Sequence, residues 1–186
     1  MLRSTINKER RIEKNRNIVS KTDLTGKIVY ANKYFCEVSG YSSEELENQN
    51  HNIIRHPDMP KAIFNMMWSR LKKEKNIMAV VKNRTKDGKY YWVTTDFSIR
   101  RDIDGNVKFY MAFREKAPNK ILKVIKPLYK KMLKIENEDG TKASLLYFEK
   151  FLRKKNMTYD QFIKDLAAPR GFLKSIFAWR KANKDK

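Results

Sequence analysis

Residues 52–60 read Asn-Ile-Ile-Arg-His-Pro-Asp-Met-Pro and crowd charge and backbone restriction into one short stretch. Pro57 pushes His56 out of the helical region of backbone space. Asp58 can accept hydrogen bonds from the free N–H groups that open a helix. Pro60 is compatible with the first helical turn, where its missing N–H would have had no intrahelical partner. Arg55 and His56 therefore stand beside the positive end of a helix dipole, where cationic groups are disfavoured. Asp58 or a bound anion is needed to offset them, and a phosphate or a carboxylate would suit. An ordinary capped helix start with a surface arginine satisfies the same residues, and the spacing leaves both readings open.

Other chemistries are poorly served. His51 and His56 are the only histidines, and no carboxylate cluster lies near them at metal-binding spacing. His56, at a helix entrance, is a weak choice of axial ligand for a haem. No nucleophile, base and orienting group occur together, so catalysis is not expected. The single cysteine, Cys36, excludes an intramolecular disulfide framework and fits a reducing compartment. It reads as a small buried thiol. Trp68, Tyr90, Tyr91 and Trp92 read as packing residues.

The net charge of +21 invites a nucleic-acid interpretation. Its distribution argues otherwise, because residues 22–60 carry 3 basic and 6 acidic groups and no arginine-rich block occurs anywhere. Nucleic acid is not the favoured partner, and attraction to anionic lipid or an acidic protein stays open. No apolar run approaches bilayer length, and the basic N-terminus lacks an apolar signal core. A soluble, cytoplasmic protein is expected.

The candidate residues need elements to hold them. Residues 18–22 and 28–30 read as strands around an Asp23–Lys27 turn. Residues 32–38 read as a short helix ending at Gly40. Ser42-Ser43-Glu44-Glu45 is a capping box that opens a second helix. A longer helix over about 59–74 carries Ile63, Phe64, Met67, Trp68 and Leu71 at helical spacing. Strands follow at 77–84, 90–100 and 107–114, joined by Asp87-Gly88 and Asp104-Gly105 turns. This order predicts an α+β fold, a five-stranded antiparallel sheet with short helices on one face and a C-terminal helical extension. The boundaries expected are a basic segment 1–16, with a short charged helix at 5–16, a domain at 17–116, a linker helix at 117–135 and a helical extension at 136–186. Ile121, Ile125, Leu128, Met132 and Ile135 form a short heptad-like seam, which would serve a dimer or pack back on the sheet. Pro127 is expected to break or kink that helix. Thr141 can cap another helix, Thr158 and Gln161 form a second capping box, and residues 172–179 read as a last amphipathic piece.

Two further polar or aromatic side chains invite attention. Ile77, Ala79, Val81 and Asn83 share one strand face, so Asn83 is an amide closing an apolar row. It can meet a ligand edge or simply finish a hairpin. Phe64 can be core, ligand contact or both, and Asn32 can cap its helix and nothing more.

The spaced residues Asp23, Gly26, Ile28, Ala31-Asn32, Phe35, Val38-Ser39-Gly40-Tyr41 and Glu45-Leu46 resemble the opening of a PAS domain. His51-Asn52-Ile53-Ile54-Arg55-His56-Pro57-Asp58-Met59-Pro60-Lys61-Ala62, Phe64, Trp68, Val81-Lys82-Asn83, Asp87-Gly88 and Tyr91-Trp92-Val93 narrow the resemblance to the aerotaxis-receptor type. It runs in register from about 18 to 114, continues through Ile125-Lys126-Pro127-Leu128-Tyr129, and has no counterpart over 136–186. It departs from the family pattern at Asn76, Ile77 and Ala79, where a Pro-Trp pair and a glycine are usual. The resemblance implies a stand-alone sensor of redox or energy state that binds FAD non-covalently and signals through a membrane-bound chemotaxis transducer or another signalling protein. It implies flavin-associated roles for Asn32, Arg55, His56, Asp58, Phe64 and Asn83, with the FAD pyrophosphate as the anion beside Arg55 and His56. A homodimer formed through the domain or the 120–135 helix is the further partner expected. The competing readings are a cofactor-free PAS adaptor for dimerisation or docking, and a basic binder of nucleic acid or lipid surfaces.

Overall fold

Alternating apolar and polar residues in β-branched, aromatic-rich runs fold here as strands. The computed structural model describes residues 5–167. Strands β1 (Ile18–Thr22), β2 (Ile28–Ala31), β3 (Ile77–Arg84), β4 (Tyr90–Arg101) and β5 (Val107–Lys116) form one antiparallel sheet in the order β2-β1-β5-β4-β3. Register puts Val81 opposite Val93 and Asn83 opposite Tyr91. It also sets Thr95 opposite Arg114. Strand alternation turns these side chains to one face, the inner face.

Helices α1 (Lys33–Ser39), α2 (Ser43–Leu46) and α3 (Lys61–Lys72) cover that face. Their starts and stops follow local chemistry. The Asn32 carboxamide accepts from the Phe35 amide, and Gly40 ends α1 in the left-handed conformation at φ 76°. Ser42 and Glu45 exchange both hydrogen bonds of a capping box at the start of α2. Phe35, Leu46, Ile63 and Met67 bury against the inner strands as one core.

The N-terminal segment departs from expectation. Residues 5–16 form no helix; residues 6–10 pair beside the start of β4, and a turn follows at 14–15. The Ile6 amide donates to the Gly88 carbonyl at 2.8 Å, and the Arg10 amide to the Tyr90 carbonyl at 2.6 Å. An isolated helix this short without an apolar stripe is marginal. Backbone pairing and burial of Ile12 in the core outweigh its helical propensity.

The C-terminal part departs at Pro127. Helix α4 (Asn119–Lys154) runs through Pro127 and turns instead at Gly140, whose φ of 87° and ψ of 171° are not helical. A proline inside a helix costs about 3 kcal/mol. Ile125, Leu128 and Tyr129, all buried around it, outweigh that loss. Beyond Gly140 the chain doubles back. The Ser144 hydroxyl donates to the Met132 carbonyl at 2.9 Å across 12 residues, a span that rises about 18 Å in a straight helix. Of the five seam residues, Ile121, Ile125, Leu128 and Met132 are buried within this one chain and Ile135 is half-buried.

Helix α5 (Tyr159–Ala167) opens on the expected Thr158–Gln161 capping box. With α4 it closes the outer edge of β3. The Tyr129 hydroxyl donates to the Val80 carbonyl at 3.0 Å, and the Tyr159 hydroxyl to the Met78 carbonyl at 2.7 Å. Edge carbonyls of this kind otherwise invite pairing with another chain. Tyr129 also lies over Trp92, at 6.4 Å between rings, on the sheet face opposite Tyr91. The amphipathic piece expected at 172–179 lies outside the described residues.

Candidate functional site

The inner face and α3 enclose a cavity of about 310 Å³. Its wall is largely aromatic and aliphatic, with Phe64 and Trp68 from α3, Phe97 from β4 and Tyr110 from β5. Trp68 packs edge-on to Tyr110 at 5.7 Å. Gly26 makes room for that indole. A Cβ at Gly26 would lie 3.1 Å from the Trp68 ring, and its φ of 90° is one that side-chain-bearing residues rarely adopt.

Three of the six sequence-predicted residues line the cavity, namely Arg55, Phe64 and Asn83. Arg55 stacks its guanidinium on the Phe64 ring at 4.5 Å and donates to the Met59 carbonyl at 3.0 Å. Asn83 is 3% exposed, and its Nδ2 group finds no acceptor. The Tyr91 hydroxyl lies beside this amide without completing a hydrogen bond. Arg55 and Asn83 also pair their backbones in an isolated antiparallel bridge, tying the loop to the edge of β3.

The other three lie outside the cavity wall. Asn32 is fully occupied as the cap of α1 and as a strut, accepting from the Val19 amide at 3.0 Å and donating to the Asn17 carbonyl at 2.9 Å. His56 is buried against the Tyr90 ring. Its Nδ1 accepts from the Asp58 amide at 3.1 Å, which leaves the proton on Nε2. Burial, with the Lys82 charge adding to it, lowers His56 to about 4, so the imidazole is neutral rather than cationic. Asp58 pairs with Lys82 at 2.6 Å.

Asp58 does not cap α3. The helix begins after Pro60 with no side-chain cap from its own loop. Glu136, from α4, fills that role. Its Oε1 accepts from the Lys61 amide at 2.8 Å and its Oε2 from the Ala62 amide at 3.0 Å. A bidentate carboxylate at a helix start is the arrangement the dipole and the free amides favour. The anion that the loop chemistry called for is thus supplied from 75 residues away in the same chain. Arg55 feels it as well: burial lowers the guanidinium below its ordinary value, and the Glu136 charge opposes that change.

Sequence reasoning missed the most buried charge in the site. Arg114 lines the cavity from β5 and is 1% exposed. It donates to Ser20 Oγ at 3.0 Å and to His51 Nε2 at 2.7 Å. Burial lowers Arg114 to about 10, so it stays cationic at neutral pH. Burial and the Arg114 charge together push His51 down to about 3, leaving a neutral ring whose Nε2 accepts. The signal was strand alternation: Tyr110, Ala112 and Arg114 share one face of β5, and an arginine on a buried row is out of place. Cys36, the only cysteine, lies on α1 outside the cavity wall.

Residues 28–114 match the family described as PAS fold. The aerotaxis receptor of Escherichia coli strain K12 is 43% identical over 113 residues, covering 61% of this chain and 22% of the receptor. The nitrogen fixation regulatory protein of Klebsiella oxytoca is 31% identical over 96 residues, covering 52% of this chain and 19% of that protein. The matches thus span about a fifth of the length of these curated relatives. Among solved structures, a light-oxygen-voltage domain studied with a flavin analogue superposes with a TM-score of 0.53 at 25% identity, covering 67% of this chain and 90% of its own. The light state of the blue-light photoreceptor Aureochrome1 LOV superposes with a TM-score of 0.53 at 23% identity, covering 59% and 88%, a likeness of fold alone. The five-stranded sheet, with its short helices over one face, is a PAS fold.

Proposed function

We propose that this chain is a sensory module that holds a flavin, FAD in the first instance, non-covalently in the PAS cavity and signals through a partner protein such as a chemotaxis transducer. The observation that carries the reading is Asn83. A buried amide N–H without an acceptor costs free energy, and few native groups are left that way. Asn83 lines an aromatic-walled cavity, and a turn of its amide would offer this N–H to a ring edge bearing carbonyl oxygens. The likeness to the aerotaxis receptor and to a light-oxygen-voltage domain studied with a flavin analogue supports the same choice.

The residues fit the group. A volume of about 310 Å³ sits at the lower end of the ~300–1,000 Å³ typical of small-molecule sites. That accommodates the flavin ring system, while the adenine nucleotide of FAD extends past it. Phe64 and Trp68 would flank the ring and keep water away, and Asn83 would orient its polar edge. Arg55, half-buried in the cavity wall, is the charge suited to the diphosphate. A bound flavin supplies reversible electron uptake, with a change of charge at the ring edge. The chain's own contribution is to make that change felt. Asn83 is tied to Arg55 by the backbone bridge, Arg55 lies near Glu136, and Glu136 holds α3 to α4. Helix α4 and the outer sheet face are the surfaces we assign to output.

Purification followed by a visible absorption spectrum tests the reading. The expected result is a yellow protein, or an apo-protein that takes up FAD on incubation and loses it in Asn83→Leu and Arg55→Ala variants. A folded protein that stays colourless after incubation with FAD overturns it in favour of a cofactor-free adaptor.

A further inference from the structure

Among the described residues, Arg114 carries a charge with no counter-ion. It is 1% exposed, and among the described residues its hydrogen-bond partners are all neutral: Ser20 Oγ at 3.0 Å, His51 Nε2 at 2.7 Å and the Ala112 carbonyl at 3.5 Å. The Phe35 and Phe97 rings, 5.6 and 6.0 Å from the guanidinium carbon, add only the attraction of their π faces. Buried charges are ordinarily paired, because taking an ion out of water is costly. Arginine cannot escape that cost by releasing its proton at neutral pH.

Asn83 provides a second, independent indication. Its Nδ2 is unpartnered, and the residue lines the same cavity as Arg114. One is a cation and the other an amide with no well-formed hydrogen bond from its N–H, only the nearby Tyr91 hydroxyl. His51 cannot balance them, because its Nε2 is already taken as acceptor by Arg114 and Ser20. The cavity is therefore rich in donors and positive charge, inside walls that are otherwise largely apolar. Its complement is a flat ring system with an acceptor-rich edge and negative charge on that edge.

We propose that Arg114, seated on Ser20 and His51, is a subsite that selects the charge state of the ligand in this cavity and favours a planar ligand whose edge is anionic. The proposal deepens the flavin reading and, where it concerns flavin, rests on it. Negative charge gained on reduction of a flavin is spread over the pyrimidine edge, so the subsite binds the reduced ring more tightly than the oxidised one. Charge selection by Arg114 then turns electron uptake into a tighter hold on the ligand, felt at β5 and at the 50–55 loop.

The test uses the purified full chain and two pairs of probes, followed by calorimetry and by quenching of tryptophan fluorescence. The first pair is 2-naphthoate and 2-naphthamide, planar molecules that differ in charge. The second is riboflavin in its oxidised form and riboflavin reduced with dithionite under anaerobic conditions. The wild type is expected to favour naphthoate over naphthamide, and reduced over oxidised riboflavin, each by about tenfold or more, as charge-assisted hydrogen bonds inside a cavity allow. Arg114→Gln abolishes both preferences, and Arg114→Lys keeps part of each. Circular dichroism establishes that each variant is folded, and the wild-type comparison does not depend on any variant. Equal wild-type affinity for naphthoate and naphthamide overturns the subsite, as does a preference that survives Arg114→Gln. Failure of riboflavin to bind in either state, with an Arg114-dependent naphthoate preference, overturns the flavin reading and leaves the subsite standing. Binding of riboflavin without any charge preference does the reverse, and a protein that binds no probe overturns both.

Discussion

At the scale of single residues, the site is organised by polar groups that the interior does not fully satisfy. Asn83 is the clearest case. Replacing it with leucine removes a buried N–H that has no acceptor, so the stability of the free protein should change by less than about 1 kcal/mol, while flavin uptake is lost. Urea denaturation and a flavin titration on the same variant check both halves, and a large loss of stability would mean that the amide has a structural partner. Gly26 behaves in the opposite way. Gly26→Ala places a methyl group against the Trp68 indole and forces an L residue into positive φ. It should cost about 1–3 kcal/mol, measured by the same denaturation, and it disturbs the cavity wall as well.

At the scale of elements, the start of α3 decides how the C-terminal helices relate to the sheet. Glu136 replaces the local cap that Asp58 would have provided. Asp58, being 60% exposed at its side chain, is engaged with Lys82 instead. Loss of a helix cap costs about 0.5–2 kcal/mol, and here the carboxylate also offsets the dipole beside Arg55. Glu136→Ala should therefore lower stability by about 2 kcal/mol, whereas Asp58→Ala, which removes an exposed carboxylate and leaves the largely buried Lys82 ammonium over the Tyr90 ring, should cost about 1 kcal/mol. Thermal or urea melts of the two variants rank them, and the reverse order would contradict the assignment of the cap. Gly140 is the matching feature at the turn of α4. Its backbone lies in a region nearly confined to glycine, so Gly140→Ala should cost about 1–3 kcal/mol and loosen the packing of residues 141–154, seen as faster amide exchange there.

At the scale of the whole molecule, two consequences follow. Removal of residues 118–186 strips the Tyr129 and Tyr159 hydroxyls from the Val80 and Met78 carbonyls. The freed edge of β3 should then drive self-association, detected as a concentration-dependent mass by light scattering, and a strictly monomeric fragment would count against an edge-covering role. The second consequence concerns acid. His51 and His56 are held near 3 and 4 against an ordinary value of 6.5. Between pH 6.5 and about 4 the unfolded chain therefore binds more protons than the folded one, and stability rises with pH across that window. It is complete above pH 6.5 and is lost progressively as pH falls toward the folded-state values. A urea midpoint clearly lower at pH 5 than at pH 7.5 is expected, and equal midpoints would contradict neutral imidazoles.

Short-range chemistry made most of the elements legible along the chain, the helix expected at 5–16 and the break expected at Pro127 excepted. Strand alternation, the Gly40 stop, the Ser42–Glu45 and Thr158–Gln161 boxes and the apolar face of α3 are set by residues within a few positions of one another, so the α+β order was legible along the chain. The grouping of Arg55, Phe64 and Asn83 at one site came from the PAS resemblance, because spacing alone left Phe64 open as core and Asn83 as the end of a hairpin. The tertiary structure alone decided the rest, because it joined groups far apart in the chain. The pairing of residues 6–10 depends on the edge at Tyr90, and the survival of the helix through Pro127 depends on the burial of its neighbours. The neutral state of His56 depends on burial beside Lys82. That the charge of the loop before α3 would have to be offset, by Asp58 or by an anion, could be read from nine consecutive residues, but the group that does it, Glu136, could not. Local sequence specifies which charges and donors a loop presents, and only the packing of distant elements specifies what will neutralise them.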